Sequence, residues 1–241
     1  MARHATYARQ YRQAMMCVYG VHKCEGISSM EFQSMKQAIA YVQGISEPSK
    51  MPGYAYGIPA RACILGSVLV KVKGSVCSNC YALKGQYQFP CVQDAQARRL
   101  ATITLPGWAD AWVYILAHSR SKRARWMRWH DSGDLQSVAH FACIVDVATR
   151  TPNTQHWLPT REYAMIAQYL RNGGTIPANL VVRQSAHMVG RKAPESAHPQ
   201  VTGSTVDGPG MQCPAPTQGN TCGDCRACWD PSVRVVTYTE H

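Results

Sequence analysis

The chain has 241 residues, a length that fits one domain of ordinary size. Lysine and arginine number 25 against 14 acidic residues, and the formal charge of +11 favours a polyanionic partner such as nucleic acid or an anionic small molecule. No apolar run approaches the roughly 18–20 residues of a membrane span, and the basic N-terminus lacks the apolar stretch of a secretory signal. We therefore expect a cytoplasmic protein that has no membrane partner.

Eleven cysteines are the most unusual feature of the composition. Thiols in the cytosol stay reduced, so disulfides explain this number poorly. The cysteines are also clustered, and clustering in such a chain indicates metal ligation.

Residues 1–50 are predicted to form a helical or irregular N-terminal segment, with helices over residues 5–16 and 30–42. A single iron–sulfur α/β domain is expected to follow over residues 51–241. Cys17 and Cys24 lie between the two helices, and their spacing assigns them no role.

The first cysteine group is Cys63, Cys77 and Cys80. Two residues separate Cys77 from Cys80, which brings two sulfurs close enough to bind one ion or two irons of one cluster. The group has three thiolates, so either another residue completes the set or one iron stays open to a substrate or cofactor. The alternative is a zinc ribbon that joins Cys77 and Cys80 to a cysteine pair near the C-terminus.

The middle of the chain is predicted to alternate helices and strands. Helices are expected over residues 92–103, 108–119, 137–150 and 163–171, and strands over residues 125–130, 156–159 and 180–183. Strands and helices that alternate at this spacing are typical of parallel βα units. The predicted fold is therefore α/β, a partial or distorted parallel βα barrel.

Polar residues follow each of the three predicted strands, and ligands of parallel α/β proteins bind at the carboxyl ends of strands. We therefore predict one pocket at this edge. The expected catalytic residues are two acceptors and two anion clamps: Asp134, Glu162, Arg161 and Arg183. The expected cofactor-binding residues are His130, Ser132, Gly133, Gln184 and Ser185.

Residues 187–241 are predicted to be an irregular, cysteine-rich tail packed onto the domain. Its metal ligands would be Cys213, Cys222, Cys225 and Cys228. Three cysteines at steps of three resemble the ferredoxin run and favour an iron–sulfur cluster, of the 4Fe–4S type, over zinc. The two cysteine groups together predict one or two clusters.

A basic run between residues 120 and 128 lies beside two tryptophans, Trp126 and Trp129. Its members are Arg120, Lys122, Arg123, Arg125 and Arg128. Basic side chains among aromatics can follow a phosphate backbone and stack on bases. The competing interpretation is a solvated loop that leads into a strand.

Four segments together resemble the phage and prophage family of cysteine-rich proteins known as gene product 88-like. They are residues 74–87 (GSVCSNCYALKGQY), 128–134 (RWHDSGD), 157–162 (WLPTRE) and 222–229 (CGDCRACW). The resemblance spreads over residues 55–240. The family has no established role, so the resemblance implies relatives rather than an activity. Such relatives place the protein in the cytoplasm of an infected cell.

A looser likeness is to radical S-adenosylmethionine enzymes, which combine a parallel βα barrel with a three-cysteine cluster whose open iron binds the cofactor. The spacing here, Cys63-x13-Cys77-x2-Cys80, departs from their CxxxCxxC. This likeness implies S-adenosylmethionine as a cofactor and a redox or radical-type reaction at the barrel mouth. The alternative function is a zinc-stapled, non-enzymatic module that binds nucleic acid or a host protein.

Overall fold

The computed structural model describes residues 29–240. The helix predicted over residues 5–16, together with Cys17 and Cys24, lies outside the described residues. The helices are α1 (Met35–Tyr41), α2 (Ile64–Leu69), α3 (Pro90–Thr102), α4 (Trp108–His118), α5 (Val138–Arg150) and α6 (Tyr163–Arg171). The strands are β1 (Tyr54–Tyr56), β2 (Trp126–Trp129), β3 (Gln155–Thr160), β4 (Leu180–Ser185), β5 (Val201–Val206), β6 (Met211–Gln212) and β7 (Val235–Tyr238).

The seven strands form one sheet in the order β1-β2-β3-β4-β5-β7-β6, and every neighbouring pair is parallel. The sheet is not closed, because β1 and β6 form its two edges. The register places Thr160 beside Gln184 and Ser185 beside Ser204, so the carboxyl ends of neighbouring strands lie at one edge. The predicted α/β fold with a partial parallel barrel is confirmed.

One face of the sheet packs against helices α1, α4, α5 and α6, and this interface is the main hydrophobic core. Helix α5 begins after Ser137, whose side chain caps it by accepting a hydrogen bond from the His140 N–H at 3.0 Å. An aromatic cluster fills the centre of this core, and the ring centroids of Trp112 and Trp129 are 5.2 Å apart. Burial of this apolar face is the main stabilising term of the fold.

The second face of the sheet is covered by the C-terminal tail, which is more regular than the sequence suggests. The tail contributes β5, β6 and β7, three strands that were predicted as irregular chain. Trp229 fastens the tail to the sheet: its ring lies 5.2 Å from that of Trp157, and its Nε1–H donates to the Met127 carbonyl at 3.0 Å. Both faces of the parallel sheet are thereby covered, as such sheets require.

Residues 29–50 belong to the same hydrophobic core. Phe32, Ala38 and Val42 are buried within it, and Ser46 pairs with Ala55 of β1. The helix predicted over residues 30–42 is shorter in the structure, because Ser34 caps it and α1 begins only at Met35. In the described part of the chain, no helix is both long and apolar enough to span a membrane.

Candidate functional site

A cavity of about 400 Å³ lies at the carboxyl edge of the sheet. It is lined by residues that end or follow five strands, namely His130 after β2, Arg161 after β3, Ser185 in β4, Val206 in β5 and Tyr238 in β7. Ligands of parallel α/β proteins bind at the carboxyl ends of the strands, and the cavity lies at that edge of the sheet.

Cys63, Cys77 and Cys80 all line this cavity. Cys63 precedes α2, and the sulfurs of Cys63 and Cys77 come within 3.5 and 3.8 Å of the point where a Cβ on Gly66 would lie. A side chain at position 66 would also meet the Cys63 Cβ at 2.8 Å, so only glycine leaves this space open. We refer to these three cysteines as the cavity trio.

The segment before Cys77 is attached to the end of β4 by backbone pairing. The Val76 N–H donates to the His187 carbonyl at 2.9 Å, and the Val189 N–H donates to the Gly74 carbonyl at 3.0 Å. The trio therefore lies at the same edge of the sheet as Ser132, which also lines the cavity.

Burial raises the pKa of the Cys63 thiol to about 12, and the nearby Asp134, Cys80 and Cys77 add to the rise while Arg161 opposes it. Burial also raises the pKa of Cys77, again against Arg161. Thiols of this kind are protonated and poorly nucleophilic at neutral pH. Only the thiolate ligates a metal, so a metal held by these cysteines would have to displace the thiol protons.

Asp134 lines the cavity and is held by three hydrogen bonds. Its Oδ1 accepts from the Thr160 hydroxyl at 2.6 Å and from the Leu135 N–H at 2.8 Å, and its Oδ2 accepts from the Arg161 N–H at 2.8 Å. Burial raises its pKa to about 6, although the hydrogen bonds oppose this shift. A carboxyl group with that pKa can exchange a proton near neutral pH.

Glu162 has a positioning role in the structure rather than a place on the cavity wall. Its Oε1 accepts a hydrogen bond from the Leu65 N–H at 2.8 Å, in the first turn of α2. The strand end after β3 is thereby tied to the segment that carries Cys63.

Arg183 does not line the cavity, contrary to the sequence-based prediction. It is fully buried on the tail side of the sheet, where its guanidinium donates to five carbonyls. These belong to Cys228, Gly203, Val233, Ala227 and Asp230. Gln184 alternates with Arg183 along β4, so it faces the helical side and does not line the cavity either.

The other predicted cofactor-binding residues do line the cavity. They are His130, Ser132, Gly133 and Ser185. His130 is strained, with φ at 59°, and both of its ring nitrogens are buried without a partner in the described residues. Gly133 has φ at 81°, and a Cβ there would lie 2.3 Å from Ile58, so the turn requires glycine.

The tail cysteines form a second group outside the cavity lining. Electrostatic coupling links Cys222 to Cys213 and Cys225, and links Cys228 to Cys213. The hydroxyl of Tyr238 lies 3.2 Å from the Cys228 sulfur. Within the cavity trio, Cys63 interacts electrostatically with Cys77 and Cys80.

Three cavity residues, Arg128, Trp157 and Tyr238, were not predicted from the sequence to belong to the site. The sequence places Arg128 in the basic run and in the polar segment 128–134 that ends the first predicted strand, without a role of its own in the pocket. Arg123 of that run is not free, because its guanidinium donates to the carbonyls of Pro48, Met51 and Gly53 at 3.0–3.3 Å.

Within residues 29–240, no three His, Cys, Asp or Glu side chains are close enough together to hold a metal ion as they stand. The fold and the site define an α/β protein with an open parallel sheet and a cysteine-lined cavity at its carboxyl edge.

The model of the gene product 88 family, a phage gene-product family, matches residues 30–231, and the chain belongs to this family. Comparison with curated proteins and with solved structures gave no match.

Proposed function

We propose that the protein is an iron–sulfur protein that carries out redox or radical-type chemistry in the cavity. The observation that carries the proposal is the arrangement of three cysteines, an arginine and a carboxyl group around one 400 Å³ space. Cys63, Cys77 and Cys80 would hold the cluster.

Three thiolates are one short of a closed ligand set, which favours a cluster with one iron open to a ligand. A 4Fe–4S cluster supplies one-electron chemistry when bound. S-adenosylmethionine is the cofactor that the looser sequence likeness implies for such an open iron.

The surrounding residues have separate roles in this proposal. Arg161 lies near the Cys63 and Cys77 thiols and stabilises their anionic forms. Asp134 is positioned to accept or return a proton at its carboxylate. Glu162 keeps the Cys63 segment on the sheet. The tail set, Cys213, Cys222, Cys225 and Cys228, would hold a second, structural or electron-transferring centre.

The proposal is tested by anaerobic purification with metal analysis and electron paramagnetic resonance. Wild-type protein is expected to be brown and to contain iron and sulfide. Cys77→Ser is expected to lose the signal of the cavity cluster. Cys91→Ser is the matched control, since Cys91 is exposed and does not line the cavity, and its iron content should equal that of the wild type.

A colourless protein that contains stoichiometric zinc and no iron would contradict the proposal. It would favour the alternative, a zinc-stapled module that binds nucleic acid or a host protein. Equal iron contents and spectra in Cys77→Ser and the wild type would show that the iron is not bound in the cavity, which would also contradict the proposal.

A further inference from the structure

Arg128 lines the cavity on the wall that belongs to the tail side of the sheet. Its guanidinium carbon lies 4.7 Å from the centre of the Trp157 ring, which fixes the guanidinium plane by a cation–π contact. Its Nη2 donates to the Tyr81 hydroxyl at 3.0 Å. Arg128 is thus held in one orientation at the cavity surface.

The hydrogen bonding of this guanidinium is incomplete. Its Nε is buried and has no partner in the described part of the chain, and its Nη1 contacts only the sulfur of Met51, at 3.6 Å. A thioether is a weak acceptor. A buried donor without an acceptor is costly, so a ligand that supplies one gains binding free energy here.

The positive charge of Arg128 is also uncompensated at close range. Among residues 29–240, the ion pairs within 4.0 Å all involve Arg150, which is elsewhere. The carboxylate of Asp131 interacts with Arg128 electrostatically from a longer distance, and Asp131 interacts with Arg99 as well. A buried or half-buried guanidinium without a close carboxylate favours an anionic ligand.

The two cavity arginines are directed at different groups. Arg161 interacts electrostatically with the thiols of Cys63 and Cys77. It also interacts with the side chains of Asp134 and Tyr163. Arg128 interacts instead with Asp131 and with three tyrosines, Tyr81, Tyr238 and Tyr87. It also interacts with the thiols of Cys222 and Cys228 in the tail. A ligand between the two walls would therefore meet an arginine that the trio does not use.

We propose that Arg128, on its Trp157 platform, binds the carboxylate or phosphate group of a small-molecule ligand of the cavity. This inference rests on the proposed function in taking the cavity as the active site, and it adds the chemical class of the substrate or cofactor. The fork of the guanidinium matches both anionic groups in a bidentate geometry.

Isothermal titration calorimetry on the full chain at constant ionic strength tests the inference, with succinate and pyrophosphate as separate probes. Wild-type protein is expected to bind at least one of them. Binding of succinate alone identifies a carboxylate ligand, and binding of pyrophosphate alone identifies a phosphate ligand. Arg128→Gln should weaken the binding about ten- to a hundredfold, because it removes a charge-assisted hydrogen bond.

Arg128→Lys is the second variant, which keeps the charge and the fold but loses the planar fork, and an intermediate loss of affinity is expected. Arg171→Gln is the matched control. Arg171 is exposed in the last turn of α6, which runs away from the carboxyl edge, so the same change of charge there should leave the affinity within about twofold.

The inference is overturned if wild-type protein binds neither probe, or if both Arg128 variants bind as tightly as the wild type. Iron content, measured on the same samples, separates this result from the proposed function. Arg128-dependent binding in iron-free protein would support the anion site while the iron–sulfur proposal fails. Iron-loaded protein that binds no anion would support the iron–sulfur proposal and contradict the anion site.

Discussion

Replacement of Arg183 by methionine removes the single side chain that ties the tail to the sheet through five carbonyls. Among its hydrogen bonds, Nε donates to the Cys228 carbonyl at 3.0 Å and Nη1 donates to the Val233 carbonyl at 2.9 Å. At about 1 kcal/mol for each hydrogen bond, the loss is about 5 kcal/mol. The variant no longer buries a positive charge, and this gain offsets part of the loss, so we expect a net loss of about 3–4 kcal/mol.

Urea unfolding followed by tryptophan fluorescence measures this loss, and limited proteolysis shows whether the tail is released first. Arg234→Met is the matched control, because Arg234 donates to the carbonyls of Pro199, Ser196 and Val201 but is exposed. Water replaces those bonds in the variant, so a loss of under about 1 kcal/mol is expected there. Equal losses in the two variants would refute the reasoning, as would a loss below about 1 kcal/mol for Arg183→Met.

Three further predictions concern the tail, the basic run and acid stability. Cys225→Ser should remove the tail metal and leave the cavity cluster, as measured by iron per chain and by protease resistance; unchanged values in both would count against a tail site. If the basic run binds nucleic acid, replacing the exposed Lys122 and Arg125 by Ala should reduce the slope of log binding constant against log salt concentration by about 0.9 for each duplex phosphate that is no longer neutralised. The absence of binding at low salt would favour the interpretation of this run as a solvated loop. Burial lowers the pKa of His140 from 6.5 to about 3, so its stabilising contribution is present above pH 6.5 and is lost as the pH falls toward 3. His140→Leu should therefore reduce the acid destabilisation, measured by urea unfolding at several pH values, by at most about 5 kcal/mol. His118→Gln, at an exposed position, should leave it unchanged. Identical pH profiles for the two variants would show that His140 is not responsible.

The βα units were predictable because each carries its own local pattern. Helix α5 has apolar residues at helical spacing behind a serine cap, and β4 begins with a run of apolar residues. The helix predicted over residues 163–171 has the bounds of α6. Short-range periodicity is enough for such elements.

The tail strands were missed because their pattern is not local. β5 reads Val-Thr-Gly-Ser-Thr-Val, which has few apolar residues and only becomes a strand between β4 and β7. Arg183 was misplaced for a related reason. A charged residue near the end of an apolar run indicates an exposed strand end, and only the folded tail supplies the five carbonyls that bury it.

The order of the strands has a consequence for how the chain folds during synthesis. β7 follows β6 in sequence but lies between β5 and β6, and β6 pairs with no other strand of the described sheet. Met211 and Gln212 therefore have no partner on the sheet until the ribosome has delivered residues 235–238. The hydrogen bond from the Cys213 N–H to the Thr237 carbonyl likewise forms only after those residues have been synthesised. Domains generally fold from the N-terminus as they emerge. The cavity trio can therefore be in place before the tail set has assembled.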